Sequence, residues 1–324
     1  MIAVDVMGGD HAPGAIIAGA LQAAQTGIPV LLVGPKVAII QALECADAQW
    51  QRYPISLLDA LDVVAMDDDP ILGVRKKPNS SLVQAVMSVK KGDAQAVLSA
   101  GNSGALMVAA SFLLGKAEGV ERPAIAGFLP ATSGYVLALD LGANVQVRSE
   151  HLYSFAHMGA AYLERNFGVI NPRVALLSNG HEEGKGTQVI KEAHALLKQS
   201  HLNFIGNAEP SHVINHDMDV IVCDGFAGNV LLKTCEAVFE WACQLAAQNI
   251  HRAQNQLQQN VAQSIAENVV ESMHEKAGHK KLSGASLIGV NGHVIVCHGN
   301  SDAAAIARAI TFAWSIVQQK NVLM

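Results

Sequence analysis

Short apolar runs rich in β-branched residues recur along the chain: Ile2 to Val6, Val30 to Val33, Ala96 to Ser99, Tyr135 to Asp140, Arg173 to Ser178, Asp219 to Cys223 and His293 to Cys297. Such runs predict buried strands. Helical spacing fills the intervals over Ala15 to Thr26, Ser80 to Lys91, Gly104 to Lys116, Glu150 to Phe167, Thr187 to Gln199 and Asp302 to Gln318. Ser103, Ser149 and Ser301 stand where N-caps are expected. The alternation predicts βα units on a mostly parallel sheet, an α/β fold.

A different texture occupies Asn229 to Lys276, rich in Gln, Asn and Ala, with Leu257, Val261, Ile265, Val269 and Met273 at four-residue spacing. That spacing predicts an apolar stripe along one helix face, covered by the protein's own core or by a second copy of the chain. A membrane-surface helix is normally flanked by Lys and Arg, whereas this segment offers Glu267, Glu271 and Glu275. No repeat and no linker-like stretch interrupts the chain, so one compact unit over residues 1–324 is expected, with 229–276 as a helical segment within it.

Composition narrows the class. Half of the 324 residues are apolar and only 15% are charged, which requires a large buried core. The opening Met1-Ile2-Ala3-Val4-Asp5 lacks the basic region of a secretory signal. The longest uncharged apolar stretch, Gly104 to Gly115, is well short of the roughly 20 residues that span a bilayer. Five cysteines without a Cys-x-x-Cys spacing fit a reducing compartment, so the cytoplasm is expected. A net charge of −6 argues against nucleic acid as a partner. An acidic protein partner would need a local basic patch, for which Arg75-Lys76-Lys77 and Lys280-Lys281 are candidates; both are also readable as ordinary solvated charge.

The predicted carboxyl ends of the strands carry small polar residues, where ligands collect in parallel α/β sheets. The loops are Asp5 to Gly14, with Gly8, Gly9, Asp10 and His11; Ser99 to Ala105, with Gly101, Asn102, Ser103 and Gly104; and Asp140 to Asn144. Then follow Ser178 to Thr187, with Asn179, Glu183 and Lys185; Asp224 to Asn229, with Gly225; and Cys297 to Asp302, with His298. Glycine there lets backbone N–H groups approach a ligand, and a following helix N-terminus adds a positive dipole end. Together they predict a neutral pocket for an anion, although any one loop is equally readable as a tight turn.

Other chemistries are poorly supported. Gly-x-Gly-x-x-Gly is absent, and Gly180 to Thr187 departs from a P-loop, with three residues between its glycines and Gly186 after the lysine. His212 and His216 with Asp217 and Asp219 have metal-ligand types at close spacing, but they read as a polar loop entering a strand, and no metal is expected. There is no Gly-x-Ser-x-Gly elbow, and Cys223, Cys235, Cys243 and Cys297 lie in apolar surroundings without an obvious base.

At Ile2 to Pro13, Ser99 to Ala105, Asp140 to Asn144, His181 to Gly186, Val222 to Asn229 and Gly289 to Gly299, the sequence closely resembles the phosphate acyltransferase (PlsX-type) family. The least typical stretch is Gln248 to Lys281, rich in Gln and His. The resemblance implies a three-layer α/β/α sandwich like those of phosphotransacetylases and isopropylmalate dehydrogenases, with a protruding helical segment. It also implies a homodimer, no cofactor, and peripheral association with the cytoplasmic membrane. The implied reaction joins inorganic phosphate to the acyl group of a fatty acyl carrier protein thioester, and the acyl phosphate then feeds a glycerol-3-phosphate acyltransferase.

The chemistry of the residues is compatible with that reaction. Phosphate, with a second ionisation near 6 by analogy with phosphoserine, is already a nucleophile at neutral pH. A thiol of pKa about 8.5 is a tolerable leaving group. Positioning and oxyanion stabilisation can then carry most of the catalysis. Gly101, Asn102, Ser103 and Gly104 are expected to hold phosphate, with Asn229 and His298 lining the same cleft. Lys185 is expected to steady the oxyanion and His11 to give the thiolate its proton. Asp5, Gly8, Gly9, Asp10, Asp140, Asn144, Asn179, Glu183, Asp224 and Gly225 are expected to line the site. Two alternatives stay open: a phosphotransacetylase using a coenzyme A thioester, and a non-catalytic acyl-carrier or anion-binding module.

Overall fold

The structure is a computed structural model that describes residues 1–252 and 284–319. The stripe from Leu257 to Met273, its glutamates and Lys280-Lys281 lie outside the described residues. The chain divides into two compact units, Met1–Gly127 with Arg165–Gly168 and Lys281–Met324, and Phe128–Glu164 with Val169–Lys280. Two of the crossings between the units lie inside regular elements, where no linker marks them in the sequence. One crossing falls within strand β5 (Ala124–Ala131) and another within helix α6 (Ser149–Phe167).

In the first unit the strand order is β3-β2-β1-β4-β11-β10-β5. The new members are β1 (Ile2–Asp5), β2 (Val30–Gly34), β3 (Ile55–Asp59), β4 (Ala96–Ser99), β10 (Ala285–Ile288) and β11 (His293–Val296). β1 pairs in parallel with β2 and β4, and β11 in parallel with β4, while β10 runs antiparallel to β11 and β5. Helix α1 (Gly14–Gln25) packs on the C-terminal helix α10 (Ala303–Gln319), and α4 (Ser81–Lys91) lies against β1, β2 and β4. Helices α2 (Lys36–Ala46), α3 (Pro70–Lys76) and α5 (Ser103–Ala109) complete the unit. The central strands β1, β2 and β4 are buried along their whole length, which is why they read as unbroken apolar runs.

In the second unit the order is β5-β6-β9-β7-β8, with β6 (Gly134–Leu139), β7 (Val174–Leu177), β8 (Phe204–Ala208) and β9 (Val220–Val222). β6, β9, β7 and β8 are mutually parallel. Helix α6 approaches them through Gly159, where a methyl group would stand 2.8 Å from Val220 Cγ1 and 2.9 Å from Leu139 Cδ2. Helices α7 (Gln188–Lys198), α8 (Pro210–Asn215) and α9 (Gly225–Arg252) follow β7, β8 and β9.

The expected strands are all present to within a residue or two, but β3, β5, β8 and β10 have no counterpart in the apolar pattern. Outer strands β3 and β8 carry half-exposed residues, and β5 opens on alternating small residues, so none shows a dense apolar run. The helix expected over Gly104 to Lys116 stops at Ala109 and continues as one π turn, Ala110–Leu114, before Gly115 at φ 82°. Two of the expected caps are displaced: Asn102 caps α5 and Asp302 accepts the Ala305 N–H at 2.7 Å, because in each case the residue beside the serine reaches the open turn. Ser149 is the first residue of α6 rather than its cap.

Candidate active site

In the first unit three loops leave neighbouring parallel strands at one edge. The register aligns Val4 of β1 with Leu98 of β4, and Ser99 with Val296 of β11, so the segments beginning near Asp5, Ala100 and Cys297 emerge together. Asp5 is buried at their root, where Ser99 Oγ donates to its Oδ2 at 2.7 Å, and the Gly101 N–H donates to Ser99 Oγ at 3.0 Å. The Met7 N–H reaches Asp5 Oδ1 at 3.3 Å. Burial pushes the Asp5 carboxyl upward, against the opposing effects of the Ser81 and Ser99 hydroxyls and the Met7 N–H.

The loops approach so closely that side chains do not fit between them. A methyl group on Gly8 would stand 2.6 Å from the Gly101 nitrogen and 2.7 Å from Asp5 Oδ2. The third loop joins through the Asp10 N–H, which donates to the Gly299 carbonyl at 2.7 Å. Among the described residues, no protein acceptor takes the N–H groups of Gly8, Gly9, Asn102, Ser103 and Gly104. Asp10, His11, Ser103 and His298 are exposed at this edge, whereas Gly8, Gly101 and Asn102 are buried.

The Asn102 side chain is fully engaged. Its Oδ1 accepts the Ala105 N–H at 3.0 Å, and its Nδ2 faces the carbonyls of Ala65, Met66 and Asp68 at 3.2, 3.1 and 3.0 Å.

In the second unit the loops after β6, β9 and β7 also share one edge, since Leu139 aligns with Val222, and Val222 with Leu176. Here Asp140, fully buried, accepts the N–H groups of Gly142 (3.3 Å), Ala143 (3.1 Å) and Asn144 (2.6 Å) and the Asn144 amide at 2.9 Å. The Gly225 N–H donates to the Asn144 carbonyl at 2.8 Å, and Asp224 Oδ1 accepts the Ala227 N–H at 2.9 Å. Asn229 borders Gly142, whose φ of 138° only glycine adopts readily.

Around the lysine loop, Asn179 Oδ1 accepts the Gly186 N–H at 2.9 Å, and Lys185 lies folded over Gly180 while remaining exposed. Glu183 pairs with Lys198 at 3.0 Å, and that contact, with His194 nearby, holds its carboxyl below the usual range. Thr187 caps α7. The structure therefore gathers Asp5, Gly8, Gly9, Asp10, His11, Gly101 to Gly104 and His298 in one unit. It gathers Asp140, Asn144, Asn179, Glu183, Lys185, Asp224, Gly225 and Asn229 in the other.

The metal-like histidines have other duties. His212 lies in helix α8, rather than a loop, and its Nδ1 accepts the Glu209 N–H at 3.2 Å. His216 Nδ1 meets Ser133 Oγ at 2.9 Å, and Asp219 is held by Arg173 at 2.9 Å. Burial pushes the Cys297 thiol up to about 12 and Cys223 well above its ordinary value, so neither supplies a thiolate nucleophile at neutral pH. Sequence reasoning gives Ser81 no role and Ser99 only a place at the start of a loop; their contact with Asp5 depends on which elements become neighbours.

Residues 1–324 match the family described as fatty acid synthesis protein. A phosphate acyltransferase of Heliobacterium modesticaldum is 42% identical over 322 residues, covering 99% of this chain and 95% of the relative. One from Anaeromyxobacter sp. (strain Fw109-5) is 43% identical over 310 residues, covering 95% and 85%. Among solved structures, a phosphotransacetylase from Streptococcus pyogenes superposes with a TM-score of 0.62 at 17% identity, covering 99% of this chain and 94% of the other. The EutD phosphotransacetylase from Staphylococcus aureus gives 0.60 at 16%, covering 97% and 93%. These likenesses establish the fold as the expected α/β sandwich with helices on both sides of the sheet. Given the match along its whole length and relatives above 40% identity, the chain belongs to the fatty acid synthesis protein family.

Proposed function

We propose that the protein is a phosphate acyltransferase, moving a fatty acyl group from the thioester of acyl carrier protein to inorganic phosphate. The observation that carries this reading is the set of unused backbone N–H groups at Gly8, Gly9, Asn102, Ser103 and Gly104, on loops that close approach has fixed in place. Backbone N–H groups without a protein acceptor suit an oxyanion rather than a metal cation.

In this reading those N–H groups hold phosphate, with His298 at the rim. A phosphate oxygen attacks the thioester carbonyl carbon, and the carbonyl electron pair moves onto oxygen. Collapse of the tetrahedral species expels the carrier's thiolate, which takes a proton from His11. Lys185, the expected source of charge for the oxyanion, and Asn229 stand on loops of the second unit, with Asn229 beside the loop fixed by Asp140. The asparagines, acids and glycines around them fix the loops. No cofactor enters the balance.

The test is direct. Protein, palmitoyl carrier protein and labelled phosphate should yield labelled acyl phosphate, trapped by hydroxylamine as the hydroxamate, faster than acetyl coenzyme A does. Absence of labelled product would reduce the protein to a binding module, and a preference for acetyl coenzyme A would make it a phosphotransacetylase.

The same proposal places the protein in the cytoplasm, as a homodimer in peripheral contact with the membrane, supplying a glycerol-3-phosphate acyltransferase. Its support is α9, where Phe226, Val238 and Trp241 are exposed apolar side chains that need cover. Among the described residues, no helix is long and apolar enough to cross a membrane. Sedimentation should give twice the chain mass, and flotation with anionic vesicles should recover the protein.

A further inference from the structure

The segment between β3 and α3 has no role in the proposed chemistry, yet it is fastened to the phosphate loop more firmly than any turn requires. The Asn102 amide has two hydrogens to offer and three carbonyls to serve, those of Ala65, Met66 and Asp68, so at least one bond is shared. Asp68 closes the same turn from within: its Oδ2 accepts the Ala65 N–H at 2.8 Å and the Lys77 ammonium at 2.6 Å, while Lys77 also donates to the Val63 carbonyl at 2.9 Å. Helix α3 then packs on α5 so closely that a methyl group on Gly104 would stand 2.8 Å from Pro70 Cγ.

The result of this fastening is the position of one side chain. Met66 Cε lies 3.3 Å from where a methyl group on Gly299 would stand, and that point is as close to Asp10 Oδ2. Met66 thus overlies the third loop of the cluster, yet it remains 51% exposed. The chain also exposes Leu61 before Met66 and Ile71 and Leu72 in α3 after it. A half-exposed thioether over a polar glycine loop, with further exposed apolar residues close by in the sequence, is poorly explained by folding alone. It is well suited to an alkyl chain attached to a carbonyl that must reach the loop.

We propose that Met66 is an apolar contact of the acyl chain past the carbons that a butyryl group has, so that it sets chain-length preference, and that Asn102 is a positioning residue whose side chain holds Met66 there. This rests on the acyltransferase reading above and names the substrate feature that the first unit recognises. Methionine is unbranched and soft, so it accommodates a chain that must enter and leave. Burial of successive methylenes at such a contact changes affinity by about fourfold each, which lets one side chain distinguish long chains from short.

The experiment compares palmitoyl and butyryl carrier protein as substrates of the full-length protein. Met66→Ala should lower kcat/KM for palmitoyl on the order of tenfold, mainly through KM, and for butyryl less than about twofold. Met66→Leu should restore the palmitoyl value. Asn102→Asp keeps the acceptor that caps α5 but turns an acceptor toward three carbonyls, so its palmitoyl-to-butyryl ratio should fall in the same direction. An unchanged ratio in Met66→Ala, or equal losses for both substrates, would overturn the inference while leaving the acyltransferase reading intact. A wild-type protein that forms no acyl phosphate from either substrate would overturn that reading and this inference with it. Met66 is half in solvent, so its replacements test the idea even where Asn102→Asp does not fold.

Discussion

Both units place a buried aspartate at the carboxyl end of a strand, Asp5 after β1 and Asp140 after β6, but the two carboxylates are used differently. Asp140 accepts three N–H groups and an amide from its own loop, so that loop spends its donors internally. Asp5 takes the hydroxyls of Ser99 on β4 and of Ser81 on α4 and one N–H, and the Ser99 hydroxyl takes the N–H of Gly101, leaving the neighbouring glycine-loop donors unused. One cluster leaves donors without a protein acceptor; the other is a closed scaffold that presents side chains, Asn229 and Lys185 among them. Similar residues at similar places in a parallel sheet need not do similar work.

The comparison breaks most visibly at Gly8. Gly8→Ala drives a methyl group into Gly101 and Asp5, and should abolish acyl phosphate formation, a loss beyond about a thousandfold, with a lowered melting temperature. Lys185→Ala tests the side-chain role of the second unit: turnover should fall about a hundredfold or more while the melting temperature stays put, because the side chain is exposed. Near-normal turnover would remove Lys185 from the mechanism.

The two aspartates should then differ in stability. Asp140→Asn turns an N–H toward N–H groups that now have an acceptor, and should cost about 2 to 3 kcal/mol in denaturant unfolding. Asp5→Asn keeps an acceptor for Ser99, turns its amide toward a single N–H, that of Met7 at 3.3 Å, and removes a charge that burial disfavours, so a smaller change of about 1 kcal/mol or less is expected. Because its folded pKa is raised, Asp5 contributes stability that is full below the ordinary carboxylate range and is lost as pH rises through the folded value. Asp5→Asn should flatten the stability profile over that window, whereas a parallel shift at all pH values would count against the assignment. The smallest effect is expected at Thr187, the cap after the lysine loop, where Thr187→Ala should lower stability by about 1 kcal/mol.

Much of this was legible in one dimension. Buried parallel strands must be apolar on both faces, so β1, β2, β4, β7, β9 and β11 announce themselves, as do the glycine and asparagine turns that follow them. Outer strands β3 and β8 bury only part of their side chains, and they left no such mark. Capping was misread by one residue at α5 and α10 because a serine and its neighbour are equally good candidates until the turn shows which one reaches the open N–H groups.

Fold class, family resemblance and the set of polar loops can be read along the chain, because these depend on local periodicity and on short motifs. Folding in three dimensions settles which loops share an edge, which donors are consumed and which remain, and that the Asn102 side chain serves a turn more than thirty residues away. Those outcomes depend on strand order and on hydrogen bonds between distant segments, and no spacing along a chain encodes which partner a donor will meet.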